Sequence, residues 1–97
     1  MKSIMIVYNQ VMSEELLDLV DELDVRGFTR WRDVQGRGTK CGDPHMGTHT
    51  WPALNGAMLC VVEDERVDTI LEALRALDRE AERRGLRAFV WNVEQAI

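Results

Sequence analysis

Cys41, His45 and His49 stand four residues apart in Cys-Gly-Asp-Pro-His-Met-Gly-Thr-His. Both histidines of the chain and one of its two cysteines are in this stretch. Thiolate plus imidazole is a borderline-soft donor set suited to Zn or Cu. A Gly/Pro-rich segment can wrap such donors around an ion, and the metal would then order the segment and act as a switch. Three donors leave the site incomplete unless a water, a carboxylate or a neighbouring subunit contributes. Short Cys/His tracts are compositional signals, so the plain alternative is that both histidines are polar loop residues hydrogen-bonding to their neighbours.

A second constellation is basic. Arg26, Arg30, Arg32, Arg37 and Lys40 are interrupted by one acid, Asp33, in a chain whose net charge is −5. Guanidinium groups beside Gly-rich backbone suit phosphate. With Thr29 and Arg87 they make a candidate anion or nucleotide cleft. The competing reading is a solvated strand edge whose charges discourage edge-to-edge pairing.

Neither constellation is a preorganised catalyst. Cys41 with His45 or His49 could pose as a thiol–imidazole pair, but a flexible loop holds nothing in place for catalysis. An acylphosphatase-like cradle would want arginine just after the first strand, and Tyr8-Asn9-Gln10-Val11-Met12 has none. A haem-degrading site would want histidine on the sheet or a helix. The expectation is a protein that is not an enzyme, with a small ferredoxin-like enzyme as a remote alternative.

The elements that position these residues follow from hydropathy. Lys2 to Tyr8 is β-rich and too short for a helix. Ser13 is a candidate N-cap, followed by Glu14 and Glu15 in the first turn. Leu16, Leu17, Val20 and Leu23 share one helical face, and Gly27 punctuates the chain after it. Phe28 to Gln35 suits a second strand and Leu54 to Glu63 a third. Between them, Gly36 to Thr50 holds four glycines and a proline, a loop long enough to suggest function. Trp31 and Trp51 flank it as packing anchors. Asp64 can cap a second helix with Val67, Ile70, Leu71, Leu74, Leu77 and Ala81 on one face, closed by Gly85. Leu86 to Glu94 is a fourth strand. The order βαββαβ is the ferredoxin-like, α+β pattern: a four-stranded antiparallel sheet with both helices on one face. Residues 1–97 are expected to form one such domain, with a long flexible loop at 36–50.

In this fold the second sheet face usually meets water and strands alternate. Here they do not. The first strand offers Ile4, Ile6 and Tyr8 to one face and Met5 and Val7 to the other. The third offers Ala57, Leu59 and Val61 against Met58, Cys60 and Val62. The fourth offers Phe89, Trp91 and Val93 against Ala88 and Val90, so both sheet faces are apolar. Such a face is seldom left wet on a monomer, which points to oligomerisation through the open sheet. Cys60, inside an apolar strand, is expected to be a core residue with an inert thiol.

Three segments carry a resemblance to the nitrogen-regulatory PII signalling family. Glu22-Leu23-Asp24-Val25-Arg26-Gly27-Phe28-Thr29 resembles the family's helix-to-strand passage. Gly36-Arg37-Gly38-Thr39-Lys40-Cys41-Gly42 resembles the start of its long T-loop and keeps all three glycines. Phe89-Val90-Trp91-Asn92-Val93-Glu94-Gln95-Ala96-Ile97 is similar to its last strand.

The resemblance implies a homotrimer with sheets facing inward and adenine nucleotides (ATP or ADP) bound in clefts between subunits. It implies T-loops that change shape with small molecules and dock a partner, often a membrane transporter. Carried onto this chain, it assigns nucleotide or anion contacts to Gly27, Thr29, Gly36, Arg37, Gly38, Lys40, Gly85 and Arg87. The chain departs from the family at its phosphate-cradling loop, reduced to Arg83-Arg84-Gly85-Leu86-Arg87, where the nest of backbone N–H groups is poorer. Arg87 falls on the family's lysine position. Family arginines expected after the last strand are not in this sequence. Lys40 replaces the glutamine tied to magnesium and 2-oxoglutarate, and no tyrosine lies in the loop for uridylylation. A trimeric CutA-type metal-tolerance protein shares the architecture and is the nearest alternative, although it lacks a long loop between strands two and three.

The acidic balance argues against nucleic acid as a partner. No apolar run spans a membrane, and the N-terminal apolar stretch ends too early for a signal peptide, so a cytoplasmic location without membrane insertion is expected. The chain is therefore expected to be a PII-like sensor whose loop couples an effector, metal or nucleotide, to a partner protein.

Overall fold

The computed structural model describes residues 1–38, 43–81 and 85–97. Strand β1 (Lys2–Asn9) runs into a 3-10 turn at Gln10–Met12 and helix α1 (Ser13–Glu22). Strands β2 (Thr29–Val34) and β3 (Asn55–Val62) follow, then a second 3-10 turn at Asp64–Arg66, helix α2 (Val67–Glu80) and strand β4 (Arg87–Asn92). The sheet order is β2-β3-β1-β4, with every neighbouring pair antiparallel. This is the ferredoxin-like βαββαβ arrangement that the apolar periodicity predicts.

Register divides the sheet into two faces. On one, Ile4 pairs with Cys60 and Val90, and Ile6 with Met58 and Ala88. These side chains meet Leu16 and Val20 of α1 and Ile70 and Leu74 of α2 in a single core. Burying such side chains contributes roughly 1.5–3 kcal/mol each, the largest favourable term in the fold. Tyr8 is fully buried opposite Gly56, where a Cβ would lie 2.6–2.7 Å from the phenol ring and hydroxyl. Only glycine leaves room for that ring.

On the other face, Ser3, Met5 and Val7 pair with Val61, Leu59 and Ala57 on one side and with Trp91, Phe89 and Arg87 on the other. Thr29 and Trp31 extend the rows beyond Leu59 and Ala57. Phe89 is 56% exposed, Trp91 48%, and Trp31 and Val61 43% each. Four large apolar side chains about half exposed on one sheet face form the second apolar surface expected from sequence. Trp31 accordingly stands on the open face of the single chain, and Trp51 at the loop base is exposed as well. Neither is the buried anchor expected of it.

Three element boundaries differ from expectation. Ser13 is the first residue of α1 rather than its cap, because the 3-10 turn precedes it. Asn9 caps that turn through its side chain, and the Ser13 hydroxyl donates to the Gln10 carbonyl at 2.7 Å. Helix α1 ends at a left-handed Asp24 (φ 57°) and not at Gly27. The Asp24 N–H donates to the Asp21 carbonyl and the Val25 N–H to the Val20 carbonyl, the paired bonds of a Schellman motif. Arg66 donates to the carbonyls of Leu23 and Asp24, a cation at the negative end of the helix. Helix α2 stops at Glu80, with Ala81 already extended, well before Gly85.

Candidate functional site: a cleft at the base of the long loop

A cleft of about 1220 Å³ opens where the end of β1, the two ends of the loop and the start of β4 converge. It is large enough for a nucleotide-sized ligand. Its walls include Gln10, the loop entry Gln35–Gly38, His45, the loop exit from Thr50 to Asn55, and Gly85, Arg87 and Phe89.

Backbone pairing shapes the loop base. Gly36 and His45 form an isolated antiparallel bridge, with N–H···O distances of 2.8 and 2.6 Å. Gln35 Nε2 donates to the Met46 carbonyl at 2.8 Å. The return path is folded too: the Gly47 N–H reaches the Ala53 carbonyl, and a turn links Thr48 to Trp51. Gly47 adopts φ +66°, and its missing side chain leaves space for Leu54. The segment expected to be one structureless loop therefore begins and ends in a built stem.

Asn55 sits at the centre of that stem. Its Oδ1 lies 2.6 Å from His45 Nδ1, and its Nδ2 occupies the space a Cβ on Gly36 would need. Glycine at 36 thus has a steric reason.

The sequence-predicted residues divide clearly. Gly36, Arg37, Gly38, Gly85 and Arg87 line one cleft although they come from distant parts of the chain. Arg37 and Arg87 are exposed and both line this cleft, together with the acid Asp43. Gly27 and Thr29 lie outside it; Thr29 is on the open sheet face, level with Leu59. Lys40 falls outside the described residues. Of the wider basic group, Arg26 is paired with Asp24 at 2.6 Å and holds that carboxyl below its ordinary range. Arg30 sits beside Met58, and Asp33 is engaged by Gln10. Arg26 and Arg30 therefore lie outside the cleft that Arg37 and Arg87 line.

For the metal set, Cys41 lies outside the described residues. His49 is exposed, and the Nδ1 of His45 is committed to Asn55. Among the described residues no group of three His, Cys, Asp or Glu side chains is placed to hold a metal ion. Cys60 is buried as expected, and burial pushes its thiol pKa up, which keeps it protonated and inert.

Four contributors escaped the sequence reading. Gln10, Asp33 and Asn55 work through bonds to distant residues. The fourth is Asp78 in the last turn of α2, whose Oδ1 accepts from the N–H groups of both Gly85 and Leu86, each at 3.1 Å.

The family model for nitrogen regulatory protein P-II matches residues 1–97. The chain belongs to the P-II family. No curated protein matches it. Among solved structures it is similar to CPII, a PII-like protein from Thiomonas intermedia K12, in a complex with ADP, AMP and bicarbonate. The TM-score is 0.74 at 21% identity, over 99% of this chain and 94% of that one. A second CPII structure, with ADP and bicarbonate, gives 0.74 at 21%, covering 93% and 82%. A PII-like signalling protein from Thermus thermophilus gives 0.68 at 24%, covering 95% and 85%. At these identities the likeness establishes the shared fold. Family membership makes this chain a signal-transduction protein of the PII type, and among the described residues no helix is long and apolar enough to cross a membrane.

Proposed function

We propose that this P-II protein is a non-catalytic homotrimeric sensor that binds ADP or AMP in the cleft at the loop base. The loop at 36–50 then changes conformation and controls a partner protein, such as a membrane transporter. One observation carries the reading: the loop glycines Gly36 and Gly38, Arg37, and Gly85 with Arg87 line one space at the hinge of the loop. Phosphate in that space would lie between two guanidinium groups and bear directly on where the loop departs. The adenine nucleotides named for the CPII structures support the choice of ligand class.

The open apolar face supports assembly, since a trimer with sheets facing inward covers Phe89, Trp91 and Val61. Clefts between subunits would also give Gly27 and Thr29 a role, contributed by the neighbouring chain. Zinc or copper through Cys41, His45 and His49 is the weaker reading, because His45 is already held by Asn55.

Calorimetric titration with ADP tests the assignment. Wild type is expected to bind, and Arg37→Ala and Arg87→Ala each to weaken binding about tenfold or more, as expected for a lost charge-assisted contact. Binding unchanged in both variants would remove the cleft from the account.

A further inference from the structure

We propose that Asp78 is a selectivity residue: it fills the anion-binding backbone at the entry to β4 from within the chain, and so disfavours ligands with extended phosphate chains. The inference rests on the nucleotide reading given above.

Two successive N–H groups aimed at one oxygen are an arrangement that binds anions. At Gly85 and Leu86 both are taken by a single atom, Asp78 Oδ1, at 3.1 Å. Gly85 adopts φ +149°, a conformation that L side chains rarely take. The same glycine lines the cleft, and so does Arg87 two residues later. Of these two N–H groups the one on the cleft wall, at Gly85, is therefore already occupied by a carboxylate of the phosphate's own sign.

The position of Asp78 argues in the same direction. It lies in the last turn of α2, at the negative end of the helix dipole, where an acid is disfavoured and a cation preferred. The carboxylate is offset there by the two loop N–H groups. A short ligand with one or two phosphates can use Arg37 and Arg87 without contesting those groups. A longer chain reaching toward β4 must displace Asp78 or lie against it.

The test is calorimetric titration of wild type, Asp78→Asn and Asp78→Ala with AMP, ADP and ATP at fixed ionic strength. Asparagine keeps an oxygen acceptor for Gly85 and Leu86 and removes only the charge. Asp78→Asn is expected to bind ATP on the order of tenfold more tightly than wild type, with AMP affinity changed less than about threefold. Amide exchange at Gly85 and Leu86 should stay slow in Asp78→Asn and quicken in Asp78→Ala. A purely structural role would change ATP and AMP affinity together, and equal changes or none would overturn the proposal. If no nucleotide binds any of the three proteins, the reading of the cleft fails. Inorganic pyrophosphate then decides Asp78 by itself: tighter binding to Asp78→Asn upholds the role, and equal binding contradicts it.

Discussion

Gln10 and Asp33 hold each other reciprocally: Gln10 Nε2 donates to Asp33 Oδ1 at 2.7 Å, and Gln10 Oε1 accepts from the Asp33 N–H at 2.5 Å. Asp33 is left-handed (φ 58°) within a β-bulge between Trp31 and Val34. The Gln10 N–H also bonds to the Leu54 carbonyl. One residue at the end of β1 thereby ties down both the strand from which the long loop departs and the segment by which it returns. Gln10 also lines the cleft, so a bound ligand and the loop's point of departure share a residue.

Gln10→Ala should therefore loosen the stem. Asp33 is exposed and Gln10 half-buried, so the expected loss is about 1 kcal/mol. For a domain of this size that corresponds to a fall in Tm of roughly 4–8 °C at constant protein concentration. Limited proteolysis within 36–50 should quicken in the same variant. Unchanged cleavage would separate Gln10 from the loop.

Gly56→Ala should be far more damaging for its size. The new methyl would sit 2.6–2.7 Å from the ring and hydroxyl of Tyr8, which is fully buried in the core. Overpacking of this kind costs about 1–3 kcal/mol. Urea denaturation is the measurement, with a lower midpoint and an unchanged m-value expected. Pairing Gly56→Ala with Tyr8→Phe should recover little, because ring carbons as well as the hydroxyl lie in the way.

Asp24→Gly sets opposing effects against each other. Glycine relieves the left-handed strain at the C′ position of the Schellman motif, about 1–2 kcal/mol, and gives back about 0.4–1 kcal/mol through its greater freedom in the unfolded chain. The substitution also removes the Asp24–Arg26 ion pair, but both side chains are largely exposed and such pairs contribute little. A net stabilisation is expected. Arg26 lowers the Asp24 carboxyl below its ordinary 3.8, so the ion-pair contribution is present above that value and is lost as pH falls through the lowered folded value. The advantage of the glycine variant should therefore widen below about pH 4. A denaturation series across that window that shows the advantage shrinking would contradict the assignment.

Much of the architecture was legible because apolar spacing dictates it. Ile4, Ile6, Met58 and Cys60 fall on the helix face, and Val61, Phe89 and Trp91 on the other, as strict alternation along β1, β3 and β4 requires. The glycines flanking Arg37 marked the loop entry before any geometry was known. Bonds between residues far apart in sequence were not legible. Nothing in the sequence pairs Gln10 with Asp33, His45 with Asn55, or Asp78 with Gly85. Helix ends failed for a related reason: Gly27 and Gly85 were the expected stops, but Asp24 accepts the left-handed conformation and Ala81 turns extended ahead of the glycine. Of the basic stretch, Arg37 lines the cleft, whereas Arg26 is paired with Asp24 and Arg30 stands level with Met58 in the sheet.

The open face yields its own prediction. Phe89→Glu places a charge among Met5, Leu59 and Trp91 on an apolar surface that a trimer would desolvate. Sedimentation should show wild type assembled and the variant dissociated to monomer with its far-UV spectrum retained. Phe89 is 56% exposed in the single chain, so the fold itself does not need it buried.

A trimer that takes adenine nucleotide at the base of its loops is tested most directly by native mass spectrometry with added ADP. The expected result is a mass of three chains carrying up to three ADP, with occupancy lost in Arg87→Ala while the trimer persists. A monomer at micromolar concentration, or a trimer that takes up no nucleotide, would contradict the account.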